Sequence, residues 1–327
     1  MHFHMIKEIT RNLYIITLPM PFRLKHVHVY ALLHQGKVAL FDTGLDTPET
    51  FSVLETALKR IDRSIRDIDR IFISHRHGDH CGMAGRIKAE SGAEILMSDT
   101  DYEFIAMSNR EALMIQAMRD FYLRHGLGEE ALAILAAIMK SFRKMTGSFA
   151  LDRALKHGQT HAIGDWTLEV LSAPGHSTGH SCFLFREQGL LIAGDHILPD
   201  ITPNLSPDLF EPSFHPLSRF VESLTEMQDL PVRLVCPAHG QPFTHFRERI
   251  EEIKEHHRER KGLTLASVRG SLKTACQVSI DLFGPELPEF DQFLAINETY
   301  VHLLELVHEG LVREETRDGK SYYAMIG

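Results

Sequence analysis

Short apolar runs separated by turn residues open the chain. Residues 13–17, 27–33 and 37–41 are β-branched or aromatic runs, and each is expected to be a strand. The period then lengthens. Phe51, Leu54 and Leu58 recur every three or four positions, and Thr47 and Glu49 suit a helix start, so 47–60 is read as a helix. A buried strand at 68–73, a short helix at 84–91 and a strand at 94–97 follow.

Between 101 and 157 the character changes. Five of the twelve methionines lie here (Met107, Met114, Met118, Met139, Met145), among many Ala, Leu and Phe at helical spacing. Two or three helices are expected, too apolar for a loose loop. Strand rhythm returns at 167–171, 182–185, 190–193 and 233–235, with a helix at 218–227 between the last two. The tail reads as a charged helix at 247–261, a helix at 293–308, and strands at 311–315 and 321–325 around Asp318-Gly319, a hairpin wing. There is no internal repeat and no low-complexity tract.

Composition narrows this picture. A chain of 327 residues, 43% hydrophobic and 24% charged, can bury a large core without disulfides. The four cysteines are scattered, with no CxxC pair, which suits a reducing compartment. Charged Lys7 and Glu8 follow the first residues, so no signal peptide is expected, and no apolar run reaches the ~18 residues of a membrane span. The expected address is the cytoplasm. A formal charge of −9 disfavours nucleic acid or anionic membrane as partner.

The chemistry concentrates in His75-Arg-His77-Gly-Asp79-His80, directly after the strand at 68–73. Three imidazoles and a carboxylate within six residues would be costly to bury without partners, and borderline metals such as zinc take both donor types. Pro174-Gly-His176 with Gly179-His180, Gly194-Asp195-His196, and Pro237-Ala-His239 each follow a predicted strand. Loops there collect functional residues. Cys81 beside the motif is read as packing. His196, His215 and His245 lie near these loops, where a structural role outweighs substrate contact. Arg143 and Lys144 are read as a solvated face.

In this order the motifs resemble the metallo-β-lactamase superfamily, over roughly residues 5–248 without 101–157. The resemblance implies a four-layer αββα sandwich as catalytic domain (1–246), a helical insertion (101–157) and a small helical or winged-helix-like tail (247–327). It implies one metal held by His75, His77 and His176, a second by Asp79, His80 and His239, and Asp195 bridging both. Asp42, in Phe41-Asp42-Thr43-Gly44, and His180 would support the ligands from behind. His77 in place of Glu argues against the flavodiiron branch. His80 in place of Arg, with Asp195 as bridge, argues against a secreted antibiotic-degrading enzyme. Met83 stands where many relatives carry a second glycine.

The implied activity is hydrolysis by a hydroxide shared between two divalent ions, zinc first, iron or manganese as alternatives, with Asp79 holding or relaying the proton. A thioester or related carbonyl ester is the expected small-molecule substrate. Phosphodiester cleavage, as in endoribonuclease-like relatives, is the runner-up, followed by a lactone or persulfide oxidation at a single iron. Nucleic acid is not expected as partner. The tail is expected to pack on the catalytic domain or mediate self-association.

Overall fold

The computed structural model describes residues 5–327, so the expectation about the extreme N-terminus falls partly outside the described residues. The first sheet runs in the order β1 (Ile6–Thr10), β2 (Leu13–Pro19), β3 (His26–His34), β4 (Lys37–Phe41), β5 (Ile68–Phe72), β6 (Glu94–Met97) and β7 (Arg153–Ala154). Its β1–β4 pairings are antiparallel; from β4 to β7 they are parallel. The second sheet is built from β8 (Thr160–Ile163), β9 (Trp166–Ser172), β10 (Ser181–Phe185), β11 (Leu190–Gly194) and β12 (Leu234–Pro237), with only β11 and β12 parallel.

Strand alternation puts every second side chain between the sheets. Leu13, Tyr30, Phe41, Phe72, Leu168, Phe183, Phe185 and Ile192 meet there in one buried cluster. Phe41 stacks on Phe72 at 5.1 Å and meets Phe183 at 5.3 Å across the interface. The opposite face of the first sheet packs on α1 (Pro48–Lys59) and α3 (Ala84–Ser91) through Leu54, Leu58, Ala84 and Ile87. Thr47 caps α1 by accepting from the Thr50 N–H. The outer face of the second sheet packs on α7 (Pro216–Met227) and α8 (Phe246–Ser267) through Phe220, Leu224, Ile250 and Ile253. The result is the expected four-layer αββα arrangement.

The insertion consists of α4 (Asp99–Ser108), α5 (Glu111–Arg124) and α6 (Glu129–Arg143). Beyond them, within the stretch read as helical, residues 153–154 rejoin the first sheet as β7. The tail adds α9 (Ala275–Phe283), α10 (Glu289–His308) and the hairpin β13 (Val312–Arg317) and β14 (Lys320–Met325). Asp318 and Gly319 both take positive φ, the two-residue turn expected of Asp-Gly. Lys273 makes an isolated antiparallel bridge to Tyr323 beside the hairpin. α10 is the pivot: Val301 joins the core under the second sheet, Leu303 and Leu306 join the tail's core, and Ile296 packs with Met118, Tyr122 and Leu135 of the insertion. No helix among the described residues is long and apolar enough to cross a membrane.

Candidate metal centre

All the ligand-bearing loops leave the carboxyl ends of strands at one edge of the sandwich. Asp42 follows β4, His75–His80 follow β5, His176 follows β9, Asp195 follows β11 and His239 follows β12. The loop after β5 turns at once into a one-turn helix, α2 (Gly78–Cys81), which carries Asp79 and His80. Small residues let these loops close up. At Gly194, φ is +52°, and a Cβ would stand 2.8 Å from His180 Nε2 and 2.9 Å from Ser74. At Gly78 it would run into Thr146 Oγ1 of the insertion.

Two donor groups result. His75, His77, His176 and Asp195 form one; Asp79, His80 and His239 form the other. In the first, His77 Nδ1 lies 2.9 Å from His75 Nε2 and 3.0 Å from His176 Nε2, while His176 Nε2 lies 3.4 Å from Asp195 Oδ2. In the second, His80 Nε2 and His239 Nε2 each lie 3.5 Å from Asp195 Oδ1, and Asp79 Oδ2 is 3.6 Å from His80 and 3.5 Å from His239. Asp195 therefore turns one oxygen to each group.

The reverse side of four of the five imidazoles fixes which nitrogen is bare. His80 Nδ1 donates to Asp42 Oδ2 at 2.8 Å, His176 Nδ1 to the Asn204 carbonyl at 2.8 Å, and His239 Nδ1 to the His26 carbonyl at 3.0 Å. His75 Nδ1 meets Ser74 Oγ at 3.0 Å, and that hydroxyl donates to Asp42. The lone pairs left over point into the cleft, as metal ligation requires. A buried polar atom without a partner is costly, and two of them, His80 Nε2 and Asp195 Oδ1, face each other here. A divalent cation satisfies both, so the residues fit the metals that the motif implies.

Protonation follows the same division. Burial, reinforced by His80 and the other imidazoles, pushes His75 well below its usual range. Burial and His176 bring His77 down to about 3. Both are neutral, ready donors at pH 7. For His80, burial works downwards, but Asp195, Asp79 and Asp42 override it and hold the imidazole well above its usual value. His239 is likewise raised by Asp195 and Asp79 against burial. Asp79, although buried, is drawn down to about 2 by His80 and His239. This half of the cleft is electrostatically built for a cation.

The remaining candidates separate clearly. Asp42 and His180 lie behind the ligands: His180 stacks on His75 at 4.9 Å and accepts the Asp195 N–H at 3.2 Å. His196 points beneath the second sheet, bonded to Ser223 Oγ and edge-on to Phe220. His215 packs on His308, and His245 on Phe243. Arg143 donates to the Asn109 carbonyl within the insertion. Cys81 is fully buried with its thiol donating to the Arg76 carbonyl, and Met83 is fully buried in the core.

One unforeseen group supports the cleft. Asp101, at the start of α4, accepts from the Arg76 N–H, the Gly179 N–H and Ser177 Oγ. The Arg76 side chain reaches Asp101, Asp208 and Thr178 and lies 3.6 Å over the Phe104 ring. Arg76 stands inside the motif, but Asp101 and Asp208 are isolated carboxylates with no sequence signature.

Comparison with known proteins agrees with this geometry. The family described as "Metallo-beta-lactamase superfamily" matches residues 23–239. The chain is 27% identical over 300 residues to "Probable metallo-hydrolase YqjP" of Bacillus subtilis, covering 90% of this chain and 92% of that one. A solved metallo-beta-lactamase family protein from Thermus thermophilus superposes with TM-score 0.85 at 30% identity, over 98% of this chain and 100% of that one. A hydroxyacylglutathione hydrolase of Rhizobium johnstonii is 28% identical over 164 residues, half of this chain and 45% of the relative. The two donor groups, the sheets that carry them and these likenesses agree: the chain belongs to the metallo-beta-lactamase superfamily, as a metal-dependent hydrolase with the His/Asp cluster of that fold.

Proposed function

We propose that the cleft holds two divalent ions, zinc before iron or manganese, and hydrolyses a thioester or related carbonyl ester. The splay of Asp195 carries this reading, because its two oxygens face two separate sets of imidazoles. His75, His77 and His176 would hold one ion, Asp79, His80 and His239 the other, and Asp195 both. Such ions supply Lewis acidity and a water acidic enough to attack at neutral pH, so no serine or cysteine nucleophile is needed. Asp42, Ser74 and the carbonyls of His26 and Asn204 keep the ligand lone pairs aimed inwards. Asp79 is the more exposed carboxylate, its side chain 18% accessible against 11% for Asp195. It is therefore placed to receive a proton and pass it to solvent.

Two observations support a carbonyl substrate. The likeness to a relative named as a hydroxyacylglutathione hydrolase spans half the chain. The loop bearing Phe22, next to the His26 carbonyl that holds His239, packs Phe22 on Phe142 at 4.6 Å, and Phe142 packs on Phe290 at 5.1 Å. This aromatic surface suits an acyl chain better than a polyanion. The winged-helix-like tail favours phosphodiesters as second reading. Against it, residues 243–327 carry 11 Lys and Arg against 15 Asp and Glu, and α10 is buried through Ala295–Thr299. Four unpaired cysteines, three of them buried, suit a reducing cytoplasm.

The test is a panel of thioesters, lactones, phosphodiesters and persulfides with purified protein and its Asp195→Asn variant, alongside elemental analysis. Thioester turnover that disappears with the metal in the variant is the expected result. Cleavage of RNA without thioester turnover would replace this reading.

A further inference from the structure

The catalytic cleft does not contain all of the buried histidines. His257 on α8 and His302 on α10 are 3% and 0% exposed, with rings stacked 5.3 Å apart. His302 Nδ1 donates to the Glu298 carbonyl at 2.7 Å, so the neutral ring presents a bare Nε2. That Nε2 lies 3.2 Å from His257 Nδ1, which must then carry the proton. His257 Nε2 is left as a lone pair, buried, with no donor. Burial and the neighbouring His302 keep this ring neutral, lowered to about 2.

Glu298 is also buried, and among the described residues no lysine or arginine comes within ion-pair distance of it. Its carboxyl faces the Leu205 backbone, and burial raises it to about 7. A ring nitrogen of His256, a ring nitrogen of His257 and a carboxylate oxygen of Glu298 all lie within 4.8 Å of one another. Donors on one tetrahedral zinc, each ~2.0–2.1 Å from the ion, stand ~3.3–3.5 Å apart. Binding would draw the three side chains together to that spacing. His256 is half-buried and leaves one side open to solvent for entry.

We propose that His256, His257 and Glu298 form a second, non-catalytic cation site that takes one zinc-like divalent ion and clamps α8 to α10. Two imidazoles and a carboxylate are a zinc donor set, with water for the fourth position. His302 orients His257 as a carbonyl or carboxylate orients a ligand elsewhere. Arg260 adds to the bias against positive charge on the His257 ring. Its position matters because Leu205 follows Asn204, whose carbonyl holds His176 and whose amide donates to the Leu294 carbonyl. An ion on Glu298 steadies the segment that aims a catalytic ligand.

The experiment measures metal per chain in the purified protein, in Glu298→Gln and in His257→Gln, each equilibrated with micromolar zinc. One ion fewer in each variant is expected. Equal ratios in all three proteins would overturn the site. Because the readout is a difference, it stands whether the catalytic cluster holds one ion or two. Anomalous diffraction at the zinc edge of the wild-type protein is the second measurement, independent of how the variants fold. A peak between these three side chains supports the site, and its absence in zinc-equilibrated crystals rules it out.

Discussion

Asp42 accepts the Nδ1 proton of His80 at 2.8 Å from a left-handed backbone position, φ +59°. The same carboxylate takes the Ser74 N–H at 2.7 Å and the Ser74 hydroxyl at 2.8 Å, and through that hydroxyl steadies His75. One carboxylate thus orients a ligand in each donor group. Asn tolerates positive φ and keeps the volume, so Asp42→Asn isolates the chemistry. With its oxygen on the Ser74 N–H, the amide NH2 faces His80 Nδ1 and favours the tautomer protonated on Nε2. Metal affinity is expected to fall ~10–100-fold, chiefly at the Asp79–His80–His239 group. Competition titration against a chelator measures it; unchanged affinity would remove Asp42 from that role.

Asp101 ties the insertion to the cleft. It holds the backbone of Arg76, between two ligands, and of Gly179, beside His180. Arg76 is 8% exposed at its side chain and is shared with Asp208. Removing one partner of a buried pair strands the other, at a cost of ~3–5 kcal/mol when the pair stands alone. Asp208 remains, so Asp101→Ala is expected to destabilise by ~2–3 kcal/mol and to lower turnover at least tenfold. Urea unfolding and steady-state kinetics are the measurements. A variant with normal turnover would show that the insertion is only attached to the cleft and does not support it.

Much of this is legible in the sequence. Clean apolar runs announce β4, β10 and β11, because strands buried on both faces need few polar positions. Three imidazoles and a carboxylate in six residues announce the site. β1 escapes the pattern because Ile6-Lys-Glu-Ile-Thr10 is a half-polar edge strand. β7 is two residues long, too short to have a period. α9 has no place among the expected elements, although Thr274 and Gln277 form a capping box. The supports at His26 and Asn204 act through backbone carbonyls, which carry no side-chain signal. Asp101 becomes visible only once the chain brings α4 against the loop after β9.

The tail makes a separate prediction. The tail sets a two-stranded hairpin beside its helices, and its longest late helix, α10, buries Ala295, Ile296, Val301, Leu303 and Leu306. Nucleic-acid affinity comes largely from clustered Lys and Arg that release counterions. Single-stranded RNA is therefore expected to bind poorly at physiological salt, with a shallow salt slope. A titration at two salt concentrations decides it. Micromolar binding with a steep slope, joined to metal-dependent cleavage, would promote the nuclease reading.

The contact between insertion and tail should weaken in acid. His125 ends α5 and is 4% exposed, among Phe121, Tyr300 and Tyr323. Its Nδ1 takes the Tyr323 hydroxyl at 3.2 Å, and its carbonyl takes the Cys276 N–H at 3.0 Å. Burial, helped by Arg124, lowers the imidazole from 6.5 to about 4. Above pH 6.5 both folded and unfolded chains hold it neutral, and its contribution is constant. Between pH 6.5 and 4 the unfolded chain takes up a proton that the folded one refuses, so stability falls as pH falls through that window. A shift of this size corresponds to at most ~3 kcal/mol, reached near pH 4. Other buried histidines act in the same direction, so the informative quantity is the difference between the wild type and His125→Gln. The variant is expected to lose stability at pH 8, where the Tyr323 and ring contacts are disturbed, and to close that deficit as the pH approaches 4. Urea unfolding across this range tests it; parallel pH profiles would show that His125 takes up protons equally in both states.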